Sequence, residues 1–135
     1  DWGDLDFLLV DLPPGTSDAP LTIMQVLQLD GFVIVTTPQD LAKLDAKRSI
    51  NMIRKMNVNL LGVVENFSGD IFGSGAGATL ATEMELDFLG RLDLRRDYRD
   101  MSGPTVLTSK KVNQEYNNIV KGIVNSLHAQ GHSIN

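Results

Sequence analysis

The sequence predicts an α/β fold, a mostly parallel sheet with helices on both of its faces. Short apolar segments alternate along the chain with longer segments whose apolar residues recur at helical spacing. The apolar segments are nearly continuous, as is typical of strands that are buried on both faces. Each connection is long enough for a helix, and strand–helix–strand units build parallel sheets. We expect one structural unit over 1–135, with a frayed tail over 130–135.

The first predicted strand and helix are separated by a proline-rich loop. Residues 5–10 (LDFLLV) are almost entirely apolar, which predicts a buried strand. Two prolines and a glycine over 12–18 cannot extend that strand and therefore predict a loop. Ser17 or Asp18 can cap a helix that runs to about residue 28.

The second and third predicted strands enclose a long helix. Residues 32–36 (FVIVT) are rich in β-branched side chains, and Pro38 ends this strand. A helix over about 40–56 follows, with Asp40 as its N-cap. Residues 60–64 (LLGVV) form the third strand. Helical spacing predicts a buried stripe of Leu41, Leu44, Ile50, Ile53 and Met56.

The last part of the chain begins with a glycine-rich loop over 68–77, which leads into a helix over about 78–84. Residues 88–92 (FLGRL) predict a fourth short strand, and 95–101 a weak helix before a Gly-Pro turn. An amphipathic helix over about 111–129 ends the fold, with apolar residues along one side.

Composition excludes several classes of function. The 17 acidic and 12 basic residues give a net charge of −5, which argues against broad binding to nucleic acid or anionic membranes. The chain has no cysteine, so it supplies no disulfide, thiolate metal ligand or iron–sulfur ligand. No apolar run approaches the roughly 18 residues that a membrane span needs. We expect a cytoplasmic protein. Because the chain lacks an initiator Met and opens on a predicted core strand, we also expect it to be a piece of a longer protein.

Ligands of parallel α/β sheets bind at the carboxyl ends of the strands. Asp11 ends the first predicted strand, and a carboxylate at such a strand tip is placed to hold Mg²⁺ directly or through water. Pro13 stiffens the loop that follows, and Gly15 lets a backbone N–H approach a terminal phosphate. The alternative is that Asp11 caps the next turn and that the prolines and glycine form a plain connection.

Taken in order, these segments resemble the Mrp/ApbC family of P-loop ATPases, relatives of MinD that carry iron–sulfur clusters or scaffold their assembly. The matching stretches cover most of 5–107 and are LDFLLVDLPPGTSDAPLT, VIVTTPQDLAKLDAKRSINMIRKMNVNLLGVVENFS and IFGSGAGATLA followed by FLGRLDL. The resemblance implies a partial P-loop NTPase fold of the MinD/Mrp kind, with this chain as its C-terminal half. It also implies ATP and Mg²⁺ as cofactors of the complete protein, ATP hydrolysis by that protein, and a homodimer.

The resemblance assigns roles to particular residues. Asp11 matches the Walker B aspartate of the magnesium site, and the segment with Pro13 and Gly15 matches switch II. Asn66 matches the asparagine whose amide reads the adenine edge, and Leu92-Asp93 belongs to the loop that closes over the base. An amide offers both a donor and an acceptor, as this edge requires. The alternative for Asn66 is a cap of the turn that follows it.

Two departures from the family pattern limit these expectations. No Gly-x-x-x-x-Gly-Lys-[Ser/Thr] run occurs, so the chain alone should neither bind ATP tightly nor hydrolyse it. The Cys-x-x-Cys of typical members is also absent, since only Gly69-Asp70 stands between Ser68 and Ile71. We expect as partners the missing N-terminal half or a second copy, and an iron–sulfur client protein. The alternatives are a MinD/ParA-like regulatory or partitioning ATPase, or a non-catalytic binding module with an incomplete site.

The absent phosphate-loop strand has a structural consequence. In folds of this class that strand lies between the Walker B strand and the next strand of the chain, so 5–10 and 32–36 would flank a vacant slot. Unpaired strand edges around an apolar gap promote association. We therefore predict that the isolated chain is marginally stable, rearranged or oligomeric.

Overall fold

A computed structural model describes residues 2–13 and 18–131. Within these ranges, three parallel strands form one sheet in the order β1-β2-β3. The strands are β1 (Phe32–Thr36), β2 (Leu60–Ser68) and β3 (Phe88–Asp93). Because all three run in the same direction, their carboxyl ends lie at one edge of the sheet. The predicted parallel α/β fold is confirmed.

Helices follow the strands in the expected alternation. They are α1 (Asp18–Val26), α2 (Asp40–Lys55), α3 (Ala76–Glu83), a 3₁₀ helix (Arg96–Arg99), α4 (Thr105–Thr108) and α5 (Lys110–Ala129). The single turn of α4 was not predicted, because it is too short to show a periodic pattern. The N-cap of α2 is Gln39 rather than the predicted Asp40, which instead occupies the first turn. There its carboxylate faces the positive end of the helix dipole.

The two faces of the sheet carry separate cores. One face packs against α2 and α3 through Ile34, Ala46, Ile50, Ile53, Val63, Leu80, Ala81 and Met84. The other packs against α5 through Val64, Leu89, Leu92 and Ile119. Val63 and Val64 are adjacent in β2 and belong to different cores, because successive side chains of a strand point to opposite faces. Helices therefore cover both faces, as the apolar strands predicted.

The prediction of a buried strand over 5–10 is wrong. These residues form no strand, and their large apolar side chains are exposed, Leu9 to 89%. A strand exists only through hydrogen bonds to a neighbour, and within the described ranges β1 bonds to β2 alone. The other edge of β1 therefore carries no strand from this segment, and 5–10 are not inserted beside it.

The predicted stripe of α2 is only partly buried. Ile50 and Ile53 pack in the core, whereas Leu41 and Leu44 at the start of the helix are 71% and 46% exposed. Periodicity identifies the apolar face of a helix but not how far along it a neighbour extends.

Candidate functional site

The carboxyl ends of β2 and β3 bring together three of the residues that the sequence singled out. Asn66 in β2 lies opposite Leu92 in β3, and Ser68 lies opposite Asp93. The backbone N–H of Leu94 donates to the carbonyl of Ser68 at 2.8 Å, so the pairing continues past the end of β3. Asn66, Leu92 and Asp93 thus share the edge of the sheet where parallel α/β folds bind ligands.

Asn66 lies beside an irregularity in β2. The register shifts between Asn66 and Ser68, and the intervening Phe67 has a positive φ of 58°. Asn66 Oδ1 accepts a hydrogen bond from the Phe67 N–H at 2.9 Å, which is the local capping role weighed as the alternative. A carbonyl oxygen has two lone pairs, so the same oxygen can accept a second hydrogen bond. The bulge also turns Phe67 outward, leaving it 46% exposed.

A cavity of about 290 Å³ opens at this edge of the sheet, lined by Thr37, Gln39, Phe67, Phe72 and Leu94. Its walls come from the ends of all three strands and from the glycine-rich loop. The hydroxyl oxygen of Thr37 is buried there and has no hydrogen-bond partner in the described part of the chain. A pocket with flat apolar walls and a few polar groups suits a planar ring that carries polar atoms at its edge. Sequence reasoning did not single out Phe67 or Phe72, because their approach depends on the bulge and on the loop.

The Asp93 carboxylate is held by two arginines. Arg95 Nη2 donates to Asp93 Oδ2 at 2.9 Å, and Arg91 Nε lies 3.4 Å from Oδ1. Arg95 also donates to Glu115 in α5, and this hydrogen bond raises the pKa of Arg95 above its ordinary value. The segment after β3 is therefore bonded to α5.

Glu65, in the second half of β2, is fully buried. Its Oε1 accepts hydrogen bonds from Ser68 Oγ at 2.6 Å and Gly75 N at 3.0 Å, and its Oε2 from Gly77 N at 2.6 Å. Burial by itself raises the pKa of Glu65, but these hydrogen bonds and the charge of Arg91 outweigh it and lower the pKa below its ordinary value of 4.5. Sequence reasoning missed Glu65, although a charged residue ending an apolar strand just before a glycine-rich loop is the signal that could have identified it.

The predicted phosphate and metal side is only partly described. Asp11 and Pro13 are exposed to solvent, and Gly15 lies outside the described residues. Among the residues that the structure describes, no group of three or more acidic, histidine or cysteine side chains could enclose a metal ion. Asp11 therefore remains a candidate single ligand rather than part of a preformed cage.

Comparison with known proteins decides the family. Residues 1–128 match the family model described as ParA: NUBPL iron-transfer P-loop NTPase. The chain belongs to this family. The resemblance drawn from its strand-end motifs is thereby confirmed.

Relatives in the NUBPL family carry names that refer to iron–sulfur clusters. The iron-sulfur cluster carrier protein of Methanocaldococcus jannaschii is 44% identical, over 91% of this chain and 47% of its own length. The cytosolic Fe-S cluster assembly factor CFD1 of Kluyveromyces lactis is 45% identical, over 70% and 38%. An Arabidopsis thaliana protein named as an iron-sulfur protein required for mitochondrial NADH dehydrogenase is 40% identical, over 91% and 45%.

A solved structure supports the same family fold. The nucleotide-binding protein of Archaeoglobus fulgidus, determined in complex with ADP, superposes with a TM-score of 0.62 at 29% identity, over 98% of this chain and 50% of that protein. The NUBPL-family chain thus spans about half the length of the relatives that it matches. Of the helices in the described ranges, none combines the length and hydropathy that crossing a bilayer requires.

Proposed function

We propose that this chain is the C-terminal half of a single P-loop ATPase domain and supplies the base-binding and switch II side of its ATP site. The protein that contains it assembles or transfers iron–sulfur clusters. The observation that carries the proposal is the pairing of Asn66 with Leu92 at the carboxyl end of the sheet, next to Asp93 and the strand-end cavity. Family membership and the ADP-bound structural neighbour support a nucleotide as the ligand.

The base-binding side uses an amide and apolar surfaces. The Asn66 amide can both accept from and donate to the edge of adenine, which displays a donor beside an acceptor. Phe67 and Leu94 line the neighbouring cavity and offer apolar surface to the faces of a ring. Leu92 and Asp93, at the end of β3, directly precede Leu94 and so set its position. Asn66 itself is not among the residues lining the cavity. We therefore place the base so that its edge faces Asn66 and its ring extends into the cavity.

The phosphate side depends on residues that this chain only partly contains. The exposed Asp11 carboxylate fits one contact to Mg²⁺ through water, because this ion keeps several waters and takes its other ligands from phosphate. Pro13 and Gly15 would form the adjoining switch II segment. When bound, Mg²⁺ would neutralise charge on the phosphates. The cradle of backbone amides and the lysine come from the N-terminal half, so hydrolysis belongs to the complete protein.

The remaining proposals concern partners and place in the cell. We propose a cytoplasmic homodimer that passes its cluster to a client protein and contacts neither nucleic acid nor membrane. The cluster is cargo, and its ligands come from elsewhere because the chain has no cysteine. The same lack of cysteine favours, as a second candidate, a MinD/ParA-like regulatory or partitioning ATPase or a non-catalytic binding module.

A nucleoside titration tests the base-binding role. Adenosine added to the isotope-labelled chain should shift the NMR signals of 66–68 and 92–94 in the millimolar range, whereas cytidine should shift them less. Asn66→Ala should weaken adenosine binding about tenfold, the size expected for a lost amide–base contact. Asn51→Ala, a change of the same type at an exposed position of α2, should leave binding unchanged. Equal responses to the two nucleosides, or full binding by Asn66→Ala, would remove the adenine role.

A second experiment tests the composite ATP site. The chain is mixed with the separately produced N-terminal half of the M. jannaschii carrier, and Mg·ATP binding is measured by calorimetry. Binding by the mixture, and not by either half alone, is the expected result. An Asp11→Asn chain should lose the magnesium dependence of that binding. If the mixture binds no better than the halves, the proposed division of the site is wrong.

A further inference from the structure

Glu65 stands out among the buried groups because no step of the proposed function requires it. Withdrawing a carboxylate from water destabilises the fold unless hydrogen bonds or a counter-charge compensate. Glu65 is 0% exposed and is compensated mainly by three neutral donors rather than by a paired cation. An apolar residue of similar size would fill the same space without that cost, so the space alone does not explain a carboxylate here.

The three donors lie on both sides of one loop. Ser68 precedes the loop over 69–74 and Gly75 follows it, and both donate to the same oxygen, Oε1. Within the loop, Gly69 and Gly73 exchange backbone hydrogen bonds of 2.8 and 2.7 Å and form a small antiparallel hairpin. One carboxylate oxygen therefore joins the two ends of the hairpin by hydrogen bonds. The backbone bonds between Gly69 and Gly73 hold its two arms together.

The other oxygen of Glu65 joins the hairpin to the helix behind it. Gly75 is the N-cap of α3, with φ of 98°, and Gly77 is in its first turn. The first N–H groups of a helix have no partner within the helix, and Glu65 accepts from two of them. A Cβ on Gly77 would lie 2.8 Å from the Cβ of Glu65, so only glycine permits this approach. The start of α3 therefore packs directly against β2.

The hairpin carries part of the wall of the strand-end cavity. Phe72 lies at its exposed tip and lines the cavity together with Phe67. Phe67 sits between Glu65 and Ser68 in a positive-φ conformation, which is costly for a bulky residue and persists only where neighbouring contacts enforce it. The Glu65–Ser68 hydrogen bond spans this residue, and the Phe67 N–H is itself bonded to Asn66 Oδ1, so Phe67 lies inside a closed set of local contacts.

We infer that Glu65 is a positioning residue of the nucleotide site, whose carboxylate closes the 69–74 hairpin and thereby sets Phe67 and Phe72 against the base. The inference rests on the proposed base-binding function. Glu65 makes no contact with the ligand in this arrangement. It acts through the two phenylalanines, so its contribution to binding depends on their rings being present.

Adenosine titration of variants tests this dependence. Glu65→Gln replaces one acceptor oxygen with an NH₂ group. This donor would face the N–H donor of Gly75 or Gly77, so that hydrogen bond is lost, and we expect adenosine binding to weaken about tenfold. Faster amide exchange at Gly75 and Gly77 would report the lost hydrogen bonds. Glu83→Gln makes the same change at an exposed carboxylate of α3 that pairs with Lys43, and it should leave adenosine binding unchanged.

A double-mutant cycle separates positioning from general destabilisation. In a Phe72→Ala background, Glu65→Gln should cost less than half of its effect on wild type, because the ring that it positions is gone. Full additivity would overturn the inference, as would a folded Glu65→Gln chain that binds adenosine like wild type. If Glu65→Gln does not fold, Ser68→Ala decides by the same cycle, since it removes one bond to Oε1 only. If the wild-type chain shows no response to adenosine, the proposed function fails and the inference falls with it. If the wild-type chain binds adenosine and the Glu65→Gln substitution has no effect on that binding, only the inference is overturned.

Discussion

Arg95 donates hydrogen bonds from both Nε and Nη2 to a single oxygen of Glu115, Oε1, and so joins the segment after β3 to α5. The second oxygen, Oε2, is buried and has no partner among the described residues. Only 16% of the Glu115 side chain is exposed, against 24% for Arg95. Arg95 is therefore the principal compensation for a largely buried carboxylate.

Removal of Arg95 should destabilise the fold. Arg95→Met keeps the apolar part of the side chain but leaves Glu115 without its donor, and we expect the free energy of unfolding to fall by about 1–3 kcal/mol. Urea unfolding measures this change. Arg48→Met is the control, because Arg48 pairs with Asp45 at the surface, where such a pair contributes about 0–1 kcal/mol. Similar losses for the two variants would contradict the special role of Arg95.

The lowered pKa of Glu65 predicts a dependence of stability on pH. A carboxyl group with a lower pKa in the folded than in the unfolded state stabilises the fold above the unfolded pKa, and this stability is lost as the pH falls through the folded pKa. The ordinary pKa is 4.5, so the free energy of unfolding should decrease as the pH falls below that value. Urea unfolding at neutral pH and down to about pH 3 measures the slope.

One variant and a change of salt concentration assign that slope to Glu65. Glu65→Gln should show a smaller decrease with acid than wild type, because it has lost the titrating group. The pKa of Glu83 is also lowered, chiefly by its hydrogen bond to Lys43, but this pair is exposed and its contribution should weaken in about 0.5 M salt. The Glu65 contribution should persist in salt. An unchanged acid slope in Glu65→Gln would show that other carboxylates govern it.

Gly77 is expected to be intolerant of a side chain. In Gly77→Ala the new methyl group would lie 2.8 Å from Glu65 Cβ and 3.2 Å from a ring carbon of Phe88. Overpacking of this kind costs about 1–3 kcal/mol, which exceeds the gain in helix propensity. Thermal or urea unfolding measures the loss. Gly103→Ala, whose methyl group would meet only an ordinary 3.5 Å contact, should unfold like wild type.

The exposed apolar segment at the start of the described chain predicts self-association. Trp2 and Leu9 are 76% and 89% exposed, and β1 has an unpaired edge within the described ranges. Such surfaces drive contacts between molecules. Leu9→Lys should lower the fraction of oligomer in sedimentation velocity without changing unfolding. Val120→Lys, at a 51% exposed position of α5, should have a smaller effect, and the reverse order would assign the contact to α5 instead.

Most of the fold could be predicted from local patterns. The bounds of β1 agree with the prediction residue for residue, and α2 and α5 end within one residue of it. These elements show strong periodicity or β-branched content, which is a property of the segment itself. The motifs of the chain were also sufficient to identify the family, and the resemblance assigned both Asn66 and the Leu92-Asp93 segment to the binding of the base.

The sequence by itself determined the order of strands and helices, the parallel sheet and the family, because each follows from residue pattern or from motif. Only the tertiary structure decided that 5–10 lie exposed outside the sheet, since an apolar run becomes a strand only where a neighbouring strand accepts its hydrogen bonds. It also decided the burial of Glu65 and the outward turn of Phe67. The carboxylate of Glu65 is accommodated by hydrogen bonds from glycines up to twelve residues further along the chain, and the turn of Phe67 follows from the bulge where β2 pairs with β3. No local pattern of side chains specifies these contacts.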